Sequence, residues 1–297
     1  MRAGIIGAGN MGGRMGRRVV AAGDPIIAFD ANAQTLAACG MQAAASAAQL
    51  VEAVDVVLLS LPDSSVIERV VLGEGGVLAH ARGGQVVVDL STADPRSSVG
   101  LHAELAQRGV AFLDAGISGG AAAAEQGSLT LMVGGEADAL ARVTPVLEHF
   151  AAKIVHMGAP GSGHTTKVLN NFLNGVALAA TSEVMVAGKR AGLDLARLLE
   201  VLNASSGVNF ATLHRFPKII HGDYLEGGLT GELMAKDIRL YLAYMAGIGV
   251  PTFSGPGCMA AFELSNSMGY RDVISNRVVD AIGDLAGGVR LHDEQEM

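Results

Sequence analysis

The chain has 297 residues, half of them hydrophobic and only 17% charged, with a mean hydropathy of +0.38. That balance excludes a disordered polyelectrolyte and, at roughly 150 residues per domain, points to about two folded domains. With 21 Lys and Arg against 29 Asp and Glu, no Trp and 4% aromatics, the chain lacks both the basic field and the stacking platforms that nucleic-acid binding needs. Its two cysteines, Cys39 and Cys258, cannot build a disulfide framework, so the expected compartment is the reducing cytoplasm. Gly4 and Gly7 break the first apolar run at once, so the chain start reads as structure and not as a signal peptide.

Up to about residue 157, short Val/Ile/Leu/Ala runs alternate with segments of helical spacing, the pattern of a parallel sheet covered by helices. Strands are predicted at Ala3 to Ile6, Ile26 to Asp30, Asp55 to Ser60, Gln85 to Leu90, Val110 to Asp114, Leu129 to Val133 and Lys153 to Met157. Ser46 with Gln49 matches a capping box, Pro62 marks a helix start, and Asp94-Pro95 supplies an N-cap with Pro at the first helical position. After the Gly/Pro-rich stretch 157–163 no further strand run appears; a long helix is predicted from about 165 to 191, with others capped by Asp194, over Leu229 to Ala246 and from near Cys258. Leu240 to Phe262 carries no charge, but Gly247, Gly249, Pro251, Gly255, Pro256 and Gly257 make it a buried helix and a turn, not a membrane span. The acidic run at 293–296 is expected to fray.

Gly7-Ala8-Gly9-Asn10-Met11-Gly12 fits G-x-G-x-x-G between the first strand and a predicted helix. In that context Gly7 permits the tight turn, Gly9 lets backbone approach a pyrophosphate, and Gly12 lets helix and strand pack closely. The acid that the fingerprint calls for is Asp30, at the end of the second strand and 30 − 12 = 18 residues past the last glycine. Asp30 would accept from a ribose 2′-hydroxyl and repel a 2′-phosphate, favouring NAD over NADP. Ser91-Thr92 follow the strand ending at Leu90, where they either contact the ligand or form the turn entering the next helix. The fold class is therefore α/β: a Rossmann-type, mostly parallel sheet domain over 1–160, then an all-helical domain over 161–297.

A dehydrogenase also needs a group that moves a proton as the hydride moves. Lys167 and Asn171 stand four apart on one face of the connecting helix, at an expected interdomain cleft; partial burial would bring such a lysine into a useful acid/base range. A solvated helix lysine is the alternative. His164, three residues earlier, is expected to be a surface residue, and the eight histidines show no metal-binding spacing.

Three motifs in chain order resemble the β-hydroxyacid dehydrogenase family, relatives of 3-hydroxyisobutyrate dehydrogenase and tartronate semialdehyde reductase. They are the Gly7 to Gly12 turn with its Met-Gly ending, Asp114-Ala115-Gly116-Ile117-Ser118-Gly119-Gly120, and the segment from Gly161 to Asn171; Lys236-Asp237 is similar to the family's K-D pair. The resemblance implies Lys167 as general acid/base, Ser118, Gly119 and Gly120 holding a substrate carboxylate, Asn171 orienting the substrate, and Lys236 near the nicotinamide side. It also implies NAD as cofactor and a small β-hydroxy acid as substrate; charge, aromatic content and the Gly/Pro-broken apolar run leave neither nucleic acid nor membrane as an expected partner. Gly116 stands where the family usually has Pro, an expected change in turn rigidity. The segment 205–210 also departs from the 3-hydroxyisobutyrate enzymes, leaving the substrate open; Asn209 either meets a polar substituent or caps the next helix.

Two other readings are an imine reductase of the same architecture, against which Lys167 argues, and a non-catalytic nucleotide-binding protein, which would have no reason to keep Lys167, Asn171 and Ser118 together. A decarboxylating phosphogluconate enzyme is disfavoured by length. The apolar richness of the helical half predicts a homodimer or homotetramer.

Overall fold

The computed structural model describes residues 1–292, so the expected fraying at 293–296 lies outside the described residues. It divides into two compact units that meet in sequence between Lys167 and Val168. The first holds an eight-stranded sheet: β1 (Ala3–Ile6), β2 (Ile26–Phe29), β3 (Gln42–Ala43), β4 (Val56–Leu59), β5 (Val86–Asp89), β6 (Ala111–Ser118), β7 (Leu129–Gly134) and β8 (Ala151–Gly158). Their order is β3-β2-β1-β4-β5-β6-β7-β8, and every neighbouring pair is parallel except β6 with β7.

Side-chain alternation explains the double cover. Ile5, Leu58, Val88 and Leu113 point into one buried cluster, whereas Ile6, Val57, Leu59, Val87 and Phe112 point into another, so each sheet face carries its own apolar core. All seven predicted strands are present, and the two-residue β3 is an addition too short for a periodic signal. β6 runs four residues past the predicted end, because its last part pairs antiparallel with β7 from Asp114↔Gly134 to Ser118↔Thr130.

The predicted caps form. Asp94 accepts from Arg96 N and Asp194 from Ala196 N and Arg197 N. Ser46 accepts from Gln49 N, but Gln49 reaches back to Ala45 N instead of Ser46 N. The helix after Pro62 begins at Ser64 under an Asp63 cap. The long helix runs Ser162–Arg190 and crosses the sequence boundary between the units.

The second unit is helical, with one isolated bridge, Thr230↔Ile274, among its described residues. Val168, Phe172, Met234, Ile238, Tyr241 and Phe262 share one core, in which the Phe172 and Tyr241 rings stack at 3.6 Å. Gly247 ends the helix Gly231–Gly247, and no helix among the described residues is long and apolar enough to cross a membrane.

Candidate active site

The strand order reverses between β1 and β4, the switch point at which open α/β sheets bind ligands beyond their carboxyl ends. The Gly-rich turn sits there. Gly7 has a φ of +94°, and a Cβ on it would strike the Ser60 carbonyl just past β4; a Cβ on Gly12 would strike the carbonyl of Gly7. Gly9, by contrast, is exposed, and a Cβ there would meet nothing within 4 Å. Gly9 also caps the helix Asn10–Ala21 without any side-chain hydrogen bond, so the first amides of that helix, including those of Asn10 and Met11, keep their donors for a ligand. Two glycines are thus required by packing, while the third leaves an open approach of the kind a pyrophosphate needs.

Asp30 Oδ2 accepts from Ala8 N at 2.8 Å and Oδ1 from Asn32 N at 2.8 Å, which ties the turn to the tip of β2. The carboxylate is half-buried and retains lone pairs for a ribose hydroxyl. Thr92 is half-buried just beyond β5; its neighbour Ser91 accepts from Leu61 N and so links the ends of β4 and β5. These residues fit a dinucleotide.

A second set of glycines shapes the start of the long helix. A Cβ on Gly163 would strike the carbonyls of Asp114 and Met132, so the helix rests directly on β6 and β7. Asp114 is fully buried, and its Oδ1 accepts from Gly161 N and its Oδ2 from His164 N, both at 2.7 Å. One carboxylate therefore clamps the turn from which Lys167 projects. Gly116 lies within β6 and not in a turn, contrary to the expectation about turn rigidity: a Cβ on it would stand 2.5 Å from Lys167 Cβ, so its absence makes room for the lysine stem. Lys167 itself is half-buried. Ser118 ends β6, Gly119 follows with φ +128°, and Gly120, with φ +70°, is exposed and would offer open space around a Cβ.

His164 is not a surface residue. It is fully buried, with Nδ1 at 2.7 Å from Ser98 Oγ, while its Nε2 and the Oδ2 of buried Asp89 lack hydrogen-bond partners. Burial raises the Asp89 carboxyl above its ordinary range, and the charge of His164 is the foremost opposing influence. His164 and Val168 are spaced i, i+4 on the long helix, so the signal for burial was the apolar stripe in which the histidine falls.

In the helical unit, Asn171 is buried and donates through Nδ2 to Asp237 Oδ2 at 2.5 Å, while Lys236 Nζ pairs with Asp237 Oδ1 at 3.1 Å. Asp237, expected only as the second half of the K-D pair, thus joins two of the candidate substrate residues. Its signal lay in position: it occupies the stripe 234, 237, 238, 241, whose other members are apolar and buried. Asn209 is the cap of Phe210–His214, bonded to Ala211 N and Thr212 N, which favours the capping alternative.

The sheet order and the Gly-rich turn define a doubly wound α/β protein of the dinucleotide-binding class. Residues 2–158 match the NAD binding domain of 6-phosphogluconate dehydrogenase, and residues 161–280 match the domain described as NAD-binding of NADP-dependent 3-hydroxyisobutyrate dehydrogenase. The chain is 36% identical over 278 residues to an NAD-dependent L-serine dehydrogenase of Pseudomonas aeruginosa, covering 90% of this chain and 93% of that one. It is 33% identical to a 2-(hydroxymethyl)glutarate dehydrogenase of Eubacterium barkeri, covering 91% and 90% respectively. A Mycobacterium tuberculosis 3-hydroxyisobutyrate dehydrogenase structure with L-serine superposes with a TM-score of 0.86 at 30% identity, covering 95% and 98%. The chain belongs to the β-hydroxyacid dehydrogenase family and is an NAD-dependent 3-hydroxyacid dehydrogenase.

Proposed function

We propose that the chain interconverts a small β-hydroxy acid and its semialdehyde, with Lys167 as the general acid/base. The observation that carries this reading is the local construction around that lysine: two amides of its turn are clamped by Asp114, and Gly116 gives up a side chain where the lysine stem lies. Such placement fixes a proton acceptor for the hydroxyl being oxidised and returns the proton in the reverse reaction. When bound, the dinucleotide supplies the hydride acceptor or donor. Gly7, Gly9, Asn10, Met11 and Gly12 are assigned to its pyrophosphate, Thr92 to its ribosyl side, and Asp30 to a ribose hydroxyl with a preference for NAD over NADP. Ser118, Gly119 and Gly120 are assigned to the substrate carboxylate, and Asn171 and Lys236 to orienting the substrate. Leu173, Val201, Phe210, Phe253 and Leu285 remain exposed, which supports a homodimer or homotetramer, to be checked by light scattering.

The test is Lys167→Ala in an assay of cofactor reduction with L-serine, 3-hydroxyisobutyrate and 2-(hydroxymethyl)glutarate. Turnover should fall by about a thousandfold with NAD affinity held within about threefold. Turnover near that of the parent would remove Lys167 from the chemistry.

A further inference from the structure

Arg215 follows the helix Phe210–His214. Its Nη2 donates to Asn174 Oδ1 at 2.9 Å, its guanidinium lies 5.6 Å from the Phe210 ring centroid, and its Nη1 is buried with no acceptor. No carboxylate among the described residues forms an ion pair with it, whereas Arg239, Arg271, Arg277 and Arg290 in the same unit each reach one. It does not settle on backbone carbonyls either, as Arg82 and Arg190 do. Burial alone pushes its pKa down to about 10, and no neighbouring charge acts in the other direction.

A desolvated cation without a counterion is costly, and the planar fork of a guanidinium matches a carboxylate through two parallel bonds. Asn174, which holds one end of that fork, is three residues beyond Asn171 on the same helix and therefore neighbours it. Nη1 itself is covered, but the residue as a whole is half-buried and the Phe210 ring beside it is exposed, so the guanidinium lies close beneath the surface. We propose that Arg215 receives a second carboxylate on the substrate, so that the enzyme selects hydroxy acids bearing two acidic groups. This rests on the reading that Asn171 orients the substrate.

The experiment compares kcat/KM for 2-(hydroxymethyl)glutarate with that for L-serine and 3-hydroxyisobutyrate in the parent, Arg215→Gln and Arg215→Lys, with circular dichroism to confirm folding. The parent should prefer the diacid. Arg215→Gln should lower the diacid-to-monoacid ratio by about a hundredfold, chiefly through KM, and Arg215→Lys, which keeps the charge and loses the fork, should fall between. Calorimetric titration with glutarate, which cannot be oxidised at a hydroxyl, should show binding to the parent that Arg215→Gln abolishes, and butyrate should bind neither. Equal losses on all three acids, or glutarate binding indifferent to Arg215, would overturn the inference. If none of the acids is oxidised while glutarate binding still depends on Arg215, the proposed substrate reading fails, and with it the diacid claim, but not the anion site. Should Arg215→Gln not fold, Arg215→Lys carries the same comparison.

Discussion

The two units treat buried charge differently. In the sheet unit the carboxylate of Asp114 is taken up by backbone amides, those of Gly161 and His164. In the helical unit Asp237 is shared between the side chains of Asn171 and Lys236, and Arg215 is held by the side chain of Asn174. Amides are fixed by the path of the chain, so an acid they hold stays in place. Side-chain partners can turn toward a ligand and return. The sheet unit thus fixes the turn that carries Lys167, and the helical unit holds its buried charges through groups that can change partners, as the proposed roles of these residues require.

Removing an acid from each unit sharpens the contrast. Asp237→Ala leaves the Asn171 amide and the Lys236 ammonium without their shared acceptor and should cost about 3–4 kcal/mol in urea unfolding; Asp237→Asn, which keeps one acceptor oxygen, should recover at least half of that. Asp114→Asn should cost less, about 2–3 kcal/mol, yet have no such partial remedy. Its amide would turn an N–H₂ toward one of two N–H donors fixed in place, and the turn carrying Lys167 should shift with it. Turnover should therefore drop further in Asp114→Asn than its stability loss implies. If the two asparagine variants behave alike in stability and in turnover, the distinction between backbone-held and side-chain-held charge fails.

The same contrast explains what could be read from the sequence. The seven strands, the caps at Asp94 and Asp194 and the Gly7 to Gly12 turn depend on local backbone geometry, and local residues encode it through alternation, caps and glycines. The partners of His164, Asp114 and Asp237, namely Ser98, the Gly161 and His164 amides and Asn171, lie 47 to 66 positions away, so helical spacing reports that His164 and Asp237 are buried but not what they bind. Gly116 shows the limit most clearly. As a residue it suggests a turn, but its role comes from the neighbour that would collide with its Cβ.

The smallest expected effect is also the one with opposite sign. Asp89 and Asp114 are register partners on β5 and β6 and equally buried, but Asp89 accepts from only one amide, Ser91 N, and its other oxygen has no partner. Burial accordingly holds its carboxyl above the ordinary value of 3.8. A carboxyl raised in this way binds more protons in the folded than in the unfolded protein. Its contribution to stability is therefore complete below about 3.8 and is lost as pH rises through the folded value. Asp89→Asn abolishes that loss while retaining an oxygen for Ser91 N. It should stabilise the protein at neutral pH by about 1 kcal/mol, and the advantage should shrink as pH falls toward 4. Urea midpoints for parent and variant across that range provide the measurement. A gain independent of pH would mean that the carboxyl is not the source, and a loss at neutral pH would mean that His164 compensates the charge of Asp89 fully, making the sheet unit's second buried acid as well satisfied as its first.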